Sequence, residues 1–173
     1  MNTNWRNLLI GISVVGCIGG YLYDKAGNYE SESWTEYEDD RYTVSFPTSE
    51  TPQGLPGDYL TGMTVIWRNH AYTAGWMPEE KQNKQAPDES LMEGLTGLAE
   101  ESSVVKSSKM HTYEGLSAFD LELAAKSDGS GKIERYLCKG DRIYLLWVTA
   151  YEGESLDPSS PEIEKFLASF HAR

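Results

Sequence analysis

The segment 142–151 is apolar at both its odd and its even positions. Its apolar side chains are Ile143, Leu145 and Trp147 at odd positions and Tyr144, Leu146 and Val148 at even positions. Because successive side chains of a strand point to opposite faces, such a strand needs apolar cover on both faces. The segment therefore predicts a central strand between two covering layers and excludes a sheet with one face open to water.

Further short strands are predicted earlier in the chain from their aromatic and β-branched residues. These segments are 34–38, 41–46, 59–68, 71–77, 104–113, 116–125 and 132–139. Between them, Pro and Gly predict a loop at 52–57, Asn69-His70 predicts a turn, and the charged segment 78–87 predicts an exposed loop. In the segment 116–125, Phe119, Leu121 and Leu123 alternate with Asp120 and Glu122. That alternation is typical of a strand that buries one face and leaves the other to polar contacts.

Two segments have the spacing of amphipathic helices, 88–101 and 160–170. Their apolar stripes are Leu91, Leu95 and Leu98 in the first and Ile163, Phe166, Leu167 and Phe170 in the second. Strong turn signals such as Asp128-Gly129 make several connections short, which favours antiparallel pairing. We therefore predict an α+β fold with a central, mostly antiparallel sheet covered by helices in a layered α/β/α arrangement. It forms a single domain over residues 34–173.

The N-terminal segment has the layout of an export signal. Arg6 precedes an uncharged apolar run at residues 8–16, and the chain becomes acidic after it. Positive charge before a short apolar run keeps the N-terminus in the cytoplasm while the rest is translocated. We predict an export signal or membrane anchor over 1–23 and an acidic linker over 24–33. The domain would then be held in the cell envelope, facing outside the cytoplasm.

Residues 14–17, Val-Val-Gly-Cys, resemble the lipobox of bacterial lipoproteins. The resemblance implies cleavage before Cys17 and acylation of that cysteine, which would give a periplasmic lipoprotein with a stable lipid anchor. One alternative extends the apolar run through Leu22 as an uncleaved signal anchor, although a full span needs roughly 20 apolar residues. A soluble cytosolic protein is the remaining alternative.

The charge of the chain disfavours several classes of partner. Lys and Arg number 15 against 27 Asp and Glu, which gives a net charge of −12. An acidic surface repels phosphate backbones, so we expect no nucleic-acid partner. Neither a phosphate-binding Gly-rich loop nor a dinucleotide fingerprint occurs, and we expect no cofactor.

The residues of catalysis are present but are not arranged in a recognised motif. A Ser or Cys nucleophile needs a His and an orienting acid, whereas His70, His111 and His171 are widely separated in sequence. We interpret them as turn, strand-surface and tail histidines, with His171 near a terminus expected to fray. Cys138 is interpreted as a small buried apolar residue rather than a reactive thiol. We name no catalytic residue and predict that the chain is not an enzyme.

Two groups of side chains are candidates for binding. The acids Glu36, Glu38, Asp39 and Asp40 could attract calcium, but they lack a recognised ligand spacing, so we interpret them as solvated surface and predict no metal site. The aromatics Trp67, Tyr72 and Trp76 lie on two strands expected to pair. They could line a groove at an interface or form a second small core.

Four features in order resemble the fold of the photosystem II extrinsic protein PsbP and the bacterial DcrB-type proteins. They are a strand ending in an aromatic-Pro pair at residues 41–47, a helix in mid-chain, a late central strand at 140–148 and a terminal helix ending at 166–170. The resemblance implies a non-catalytic module that binds or stabilises other proteins, and many bacterial members are exported or lipid-anchored. It transfers no residue role to this chain.

The function expected from these features is a membrane-tethered accessory module that binds a protein partner in an envelope assembly. A second hypothesis is an acidic inhibitor or immunity protein that captures a basic exported target, since charge complementarity accelerates such capture. A third is a small hydrolase with an unrecognised site, in which His111 or His70 would lie in a pocket beside an acid.

Overall fold

The computed structural model describes residues 33–48, 51–55, 60–78, 89–140 and 142–173. The predicted export segment with Cys17, most of the acidic linker and most of the predicted loop at 78–87 lie outside these residues. Within the described ranges, no helix is both long enough and apolar enough to cross a membrane.

The described chain forms two antiparallel sheets and two helices. The strands are β1 (Thr35–Glu38), β2 (Tyr42–Phe46), β3 (Gln53–Gly54), β4 (Thr61–Trp67), β5 (His70–Pro78), β6 (Ser103–Tyr113), β7 (Leu116–Ala125), β8 (Gly131–Lys139), β9 (Arg142–Ala150) and β10 (His171–Ala172). The helices are α1 (Glu89–Ser102) and α2 (Pro161–Ala168). The small sheet has the order β1-β2-β10 and the large sheet the order β3-β4-β5-β9-β8-β7-β6. The predicted α+β class and antiparallel pairing are confirmed.

Strand β9 lies in the middle of the large sheet, as its apolar sequence predicts. Tyr144, Leu146 and Val148 join one hydrophobic cluster, whereas Leu145 and Trp147 join another. The first cluster includes residues of α2 and of the small sheet, and the second includes residues of α1. The two faces of β9 are therefore buried by different elements.

The C-terminus differs from the prediction. Helix α2 ends at Ala168, and His171 is not in a fraying tail but in β10, where it pairs with Thr43 of β2. The reason is the fully buried Phe170, whose ring stacks on that of Tyr42 with centroids 5.5 Å apart. Phe170 follows the helix, and because its ring is buried, the chain reverses there and residues 171–172 run along β2.

Two turns also differ from the prediction. The residues expected to form a loop around Pro52 include the short strand β3, which pairs with β4. The turn between β4 and β5 is Arg68-Asn69 rather than Asn69-His70, and both residues have a positive φ, 49° and 61°. Two successive residues with positive φ make the tight hairpin that matches the twist of antiparallel strands.

Candidate binding surface

Several sequence-predicted residues serve the fold. Trp67 and Tyr72 lie in the main core with 5% and 1% of their surface exposed, so they form core rather than a groove. Trp76 is half-buried, with the guanidinium of Arg41 4.2 Å from its ring centroid. Cys138 is half-buried in β8 rather than fully buried.

Two of the acids at residues 36–40 bind other groups of this domain. Asp39 accepts hydrogen bonds from the backbone N–H groups of Arg41 and Tyr42 at 2.7 and 2.9 Å. Glu38 pairs with the C-terminal Arg173 at 2.6 Å. Across the described part of the chain, no three His, Cys, Asp or Glu side chains are grouped so that they could hold a metal ion.

Each of the three histidines faces a different carboxylate. Nε2 of His70 lies 3.5 Å from Glu154, and Nδ1 of His171 lies 2.8 Å from Glu114. Nε2 of His111 lies 3.0 Å from Oδ2 of Asp120. The strands that carry His70 and His111 are four positions apart in the large sheet, which is about 19 Å at the usual spacing of 4.7–4.9 Å. These two histidines therefore belong to separate sites.

The most connected polar group lies on β6, β7 and β8 around Asp120. Arg135 donates from Nε and Nη2 to the two oxygens of Asp120, both at 2.8 Å. The guanidinium of Arg135 also lies 5.2 Å from the ring centroid of Tyr113. The hydroxyl of Tyr113 donates to the carbonyl of Phe170 at 3.0 Å, which joins this group to the C-terminus.

The electrostatics of this group favour a charged Asp120. Burial by itself would raise the pKa of its carboxyl, but the hydrogen bonds and charge of Arg135, with a smaller contribution from His111, outweigh burial and lower the pKa below its ordinary value. A bidentate arginine and a histidine hold the carboxylate in one orientation. The group is therefore a rigid, charged patch near the β6 end of the large sheet.

The sequence predicts part of this patch. The alternation in β7 places Phe119 and Leu121 in the core, each 1% exposed, and leaves Asp120 half-buried on the other face. The partners of Asp120 depend on strand register, since Asp120 lies opposite Lys109 of β6 and Arg135 of β8. Such pairings between distant segments have no local sequence signal.

Strand β6 is the second part of the candidate surface, because it is the last strand of the large sheet. Its residues 106–110 are all exposed, and Val104 and Met110 are exposed by 54% and 40%. A register shift between Val105 and Ser107 marks a bulge in its pairing with β7. We call the outer side of residues 103–113 the β6 edge.

A buried polar group on the opposite face of β8 is absent from the sequence prediction. Glu134 is only 5% exposed; it pairs with Lys132 and accepts a hydrogen bond from the hydroxyl of Tyr136 at 2.7 Å. Burial, with help from the Glu134 charge, raises the pKa of Tyr136 well above its ordinary value. The signal in the sequence is the alternation of Lys132, Glu134 and Tyr136, which places all three on one face of the strand. Since both carboxylate oxygens are occupied, this group supports the sheet.

The sequence matches no protein-family model and no curated protein. Among solved structures, the chain is similar to the solution structure of cyanobacterial PsbP (CyanoP) from Synechocystis sp. PCC 6803, with 11% identity and a TM-score of 0.60. The match covers 86% of this chain and 97% of that chain.

A second similarity is to the crystal structure of PA94, a protein of unknown function from Pseudomonas aeruginosa, with 10% identity and coverage of 68% of this chain and 82% of that chain. Its TM-score of 0.42 is too low to support an argument about fold. The likeness to CyanoP, which extends over nearly the whole of that protein, shows that this chain has a PsbP-like α+β fold.

Proposed function

We propose that this chain is a non-catalytic binding module that is tethered by its N-terminal segment to a membrane of the cell envelope, faces outside the cytoplasm and assists a larger envelope assembly. The observation that carries the proposal is the candidate surface itself, an exposed edge strand beside the rigid patch around Asp120. Edge strands offer unpaired backbone groups to other chains, and ordered charges beside them select among partners.

The proposed location rests on the sequence before the described residues. Arg6, the apolar run at 8–16 and the lipobox-like residues ending at Cys17 support export followed by lipid anchoring. The acidic residues of the predicted linker at 24–33 would favour an extended chain between anchor and domain. An uncleaved anchor would give the same orientation without the lipid.

The layered α/β/α arrangement stays part of the proposal. It is supported by the two separate hydrophobic clusters on β9, one with Phe166 of α2 and the other with Leu95 of α1. In such an arrangement the faces of the central strands are occupied by the chain's own elements. A partner would then have to bind at the β6 edge and at the patch around Asp120.

The anchor is tested by mass spectrometry of the full-length protein from its native membrane. An acylated N-terminal Cys17 is the expected result, and Cys17→Ser should abolish acylation. An intact Met1 in the membrane fraction would support the uncleaved anchor instead. Full-length, unmodified protein in the soluble fraction would contradict the location.

The binding role is tested by amine-reactive crosslinking of intact cells that express the full-length chain. We expect a crosslinked product of this chain with a partner protein that has the same mass in every repeat. It should be absent from a control in which the same N-terminal segment carries an unrelated domain. Identical adducts in the two samples would contradict a binding role for this domain.

The acidic inhibitor remains a second candidate because the net charge of −12 favours fast capture of a basic target. It differs from the first in its salt dependence, since association driven by long-range charge slows steeply as ionic strength rises. Association that is insensitive to salt would exclude it.

The hydrolase hypothesis has less support from the geometry. His111 faces an Asp120 whose two oxygens are already held by Arg135, and the side chains of Asp120 and Arg135 are only 28% and 13% exposed. This is the arrangement of an ion pair that fixes a surface.

A further inference from the structure

We infer that the β6 edge is the docking site for an extended, acidic segment of a partner protein, which adds to the large sheet as a further strand. The inference rests on the proposed function as a binding module and specifies how the module binds. Strand addition of this kind takes its affinity from backbone hydrogen bonds and its specificity from alternate side chains.

The length and exposure of the β6 edge fit this mode of binding. The strand has 11 residues, whereas a typical strand has about five or six. Residues 106–110 are exposed one after another, so both faces of the strand are open at its centre. A partner strand of ordinary length can therefore pair along it without displacing any described element.

The charge of the β6 edge selects an acidic occupant. Ser103–Tyr113 contains Lys106, Lys109 and His111 and no acidic residue, in a chain of net charge −12. The carboxylate of Asp120 is engaged by Arg135 and His111, and the ammonium of Lys109 is left at the exposed edge. Opposite charges on neighbouring strands stabilise pairing, and like charges oppose it.

The side-chain alternation of β6 specifies the pattern of the partner. Lys109 and His111 point to the face that carries Asp120, whereas Met110 points to the face that carries Phe119. Met110 is 40% exposed and offers an apolar contact there. The favoured partner therefore alternates acidic residues, beside Lys109 and His111, with an apolar residue beside Met110.

The same lysines disfavour a second copy of this chain. An antiparallel pair of β6 strands centred between Ser107 and Ser108 places Lys106 of each copy opposite Lys109 of the other. A parallel, in-register pair places each lysine beside the same lysine of the other copy. Both arrangements bring like charges together, so Lys106 and Lys109 act against self-pairing and in favour of an acidic strand.

The test uses the full-length chain in detergent and a capped peptide of about seven residues that alternates Glu with Val, a usual strand length. Matched peptides carry Gln or Lys in place of Glu. Binding is followed by titration, and its position by hydrogen exchange of backbone amides. We expect the Glu peptide to bind most tightly and to slow exchange at residues 106–112.

Variants locate the contact. Lys109→Glu should weaken binding of the Glu peptide about tenfold and improve binding of the Lys peptide, since it exchanges an attractive cross-strand pair for a repulsive one. Lys165→Glu changes the charge equally on α2 and should leave both affinities unchanged. The circular dichroism spectrum and the urea midpoint of each variant report whether it is folded.

Equal affinities for the Glu and Gln peptides, protection confined to other segments, or a dimer that protects the β6 edge without peptide would each overturn the inference. None of these results would contradict the binding role, which the crosslinking experiment tests separately. Conversely, absence of a specific adduct in cells would contradict the binding role, whereas protection of the β6 edge by the Glu peptide is measured independently in the purified protein.

Discussion

The guanidinium of Arg135 donates two hydrogen bonds of 2.8 Å to the two oxygens of Asp120 across β7 and β8. This pair lies where the large sheet passes from its covered centre to the β6 edge. Its bidentate geometry links β7 to β8, and the contact of His111 with Asp120 adds β6 to the same group. We infer that the pair keeps the β6 edge in a fixed conformation.

Asp120→Asn tests this pair. We expect a loss of about 1–2 kcal/mol in the free energy of unfolding at pH 7, because the charge-assisted hydrogen bonds to Arg135 become weaker. Glu122→Gln is the matched control on the same strand; Glu122 accepts one exposed hydrogen bond from Ser107, and its change should cost under about 0.5 kcal/mol. Urea unfolding at pH 7 measures both.

The effect of Asp120→Asn should depend on pH in one direction. The folded-state pKa of Asp120 is below its unfolded value, so its stabilisation is complete above the unfolded pKa of about 3.9 and is lost as the pH falls through the folded-state pKa. The difference between wild type and Asp120→Asn should therefore shrink between pH 5 and about pH 2. A difference that stays constant over this range would contradict a charge-dependent role.

Phe170→Ala tests the anchoring of the C-terminus. Phe170 is fully buried and lies 5.4 Å from the ring centroid of Tyr144, so its truncation should cost about 3–5 kcal/mol. His171→Ala, at the next and exposed residue, removes only the surface pair with Glu114 and should cost under about 1 kcal/mol. Equal costs for the two would contradict the anchoring of the C-terminus by the buried ring of Phe170.

The fate of His171 shows what a local pattern can and cannot predict. The apolar stripe of α2 and the double-sided apolar pattern of β9 are local, and both elements are present, although α2 ends at Ala168 rather than at residue 170. The C-terminal pairing of His171 with Thr43 joins residues more than a hundred positions apart, and no periodicity records it. It follows instead from the burial of Phe170 against the small sheet.

The candidate site shows the same division. The polar face of β7 is predicted from Asp120 and Glu122, because alternation is a property of one strand. The assembly of Asp120 with His111 and Arg135 requires the register of three strands. The position of β6 at the end of the large sheet likewise depends on strand order, and the sequence pattern does not specify that order.

Glu134→Ala tests the buried polar group on β8. It leaves the hydroxyl of the buried Tyr136 and the ammonium of Lys132 without their carboxylate partner, and we expect a loss of about 2–4 kcal/mol. The control is Glu162→Ala, which removes an exposed pair with Arg68 and should cost under about 1 kcal/mol. Thermal and urea unfolding report the difference; a cost for Glu134→Ala no larger than that of the control would mean that the group is not needed for stability.

Gly62→Ala tests the close approach of β4 and β5, where Gly62 lies directly opposite Gly75. A Cβ at position 62 would meet the carbonyl oxygen of Ala74 and lie 2.6 Å from the Cα of Gly75. Both are backbone atoms of the strand that also pairs with β9, so relief requires the strands to separate. We expect a loss of about 1–3 kcal/mol or more in the free energy of unfolding.

The matched control for Gly62→Ala is Gly54→Ala in β3, where an added Cβ meets nothing within 4 Å. Both changes replace a strand glycine by alanine and alter the entropy of the unfolded chain equally, so the difference in urea midpoint isolates the steric contact. Gly54→Ala should be neutral or slightly stabilising. If Gly62→Ala were equally well tolerated, the strands would have to move apart at little cost. The β4–β5 hairpin would then be a loosely packed part of the sheet rather than a rigid flank of β9.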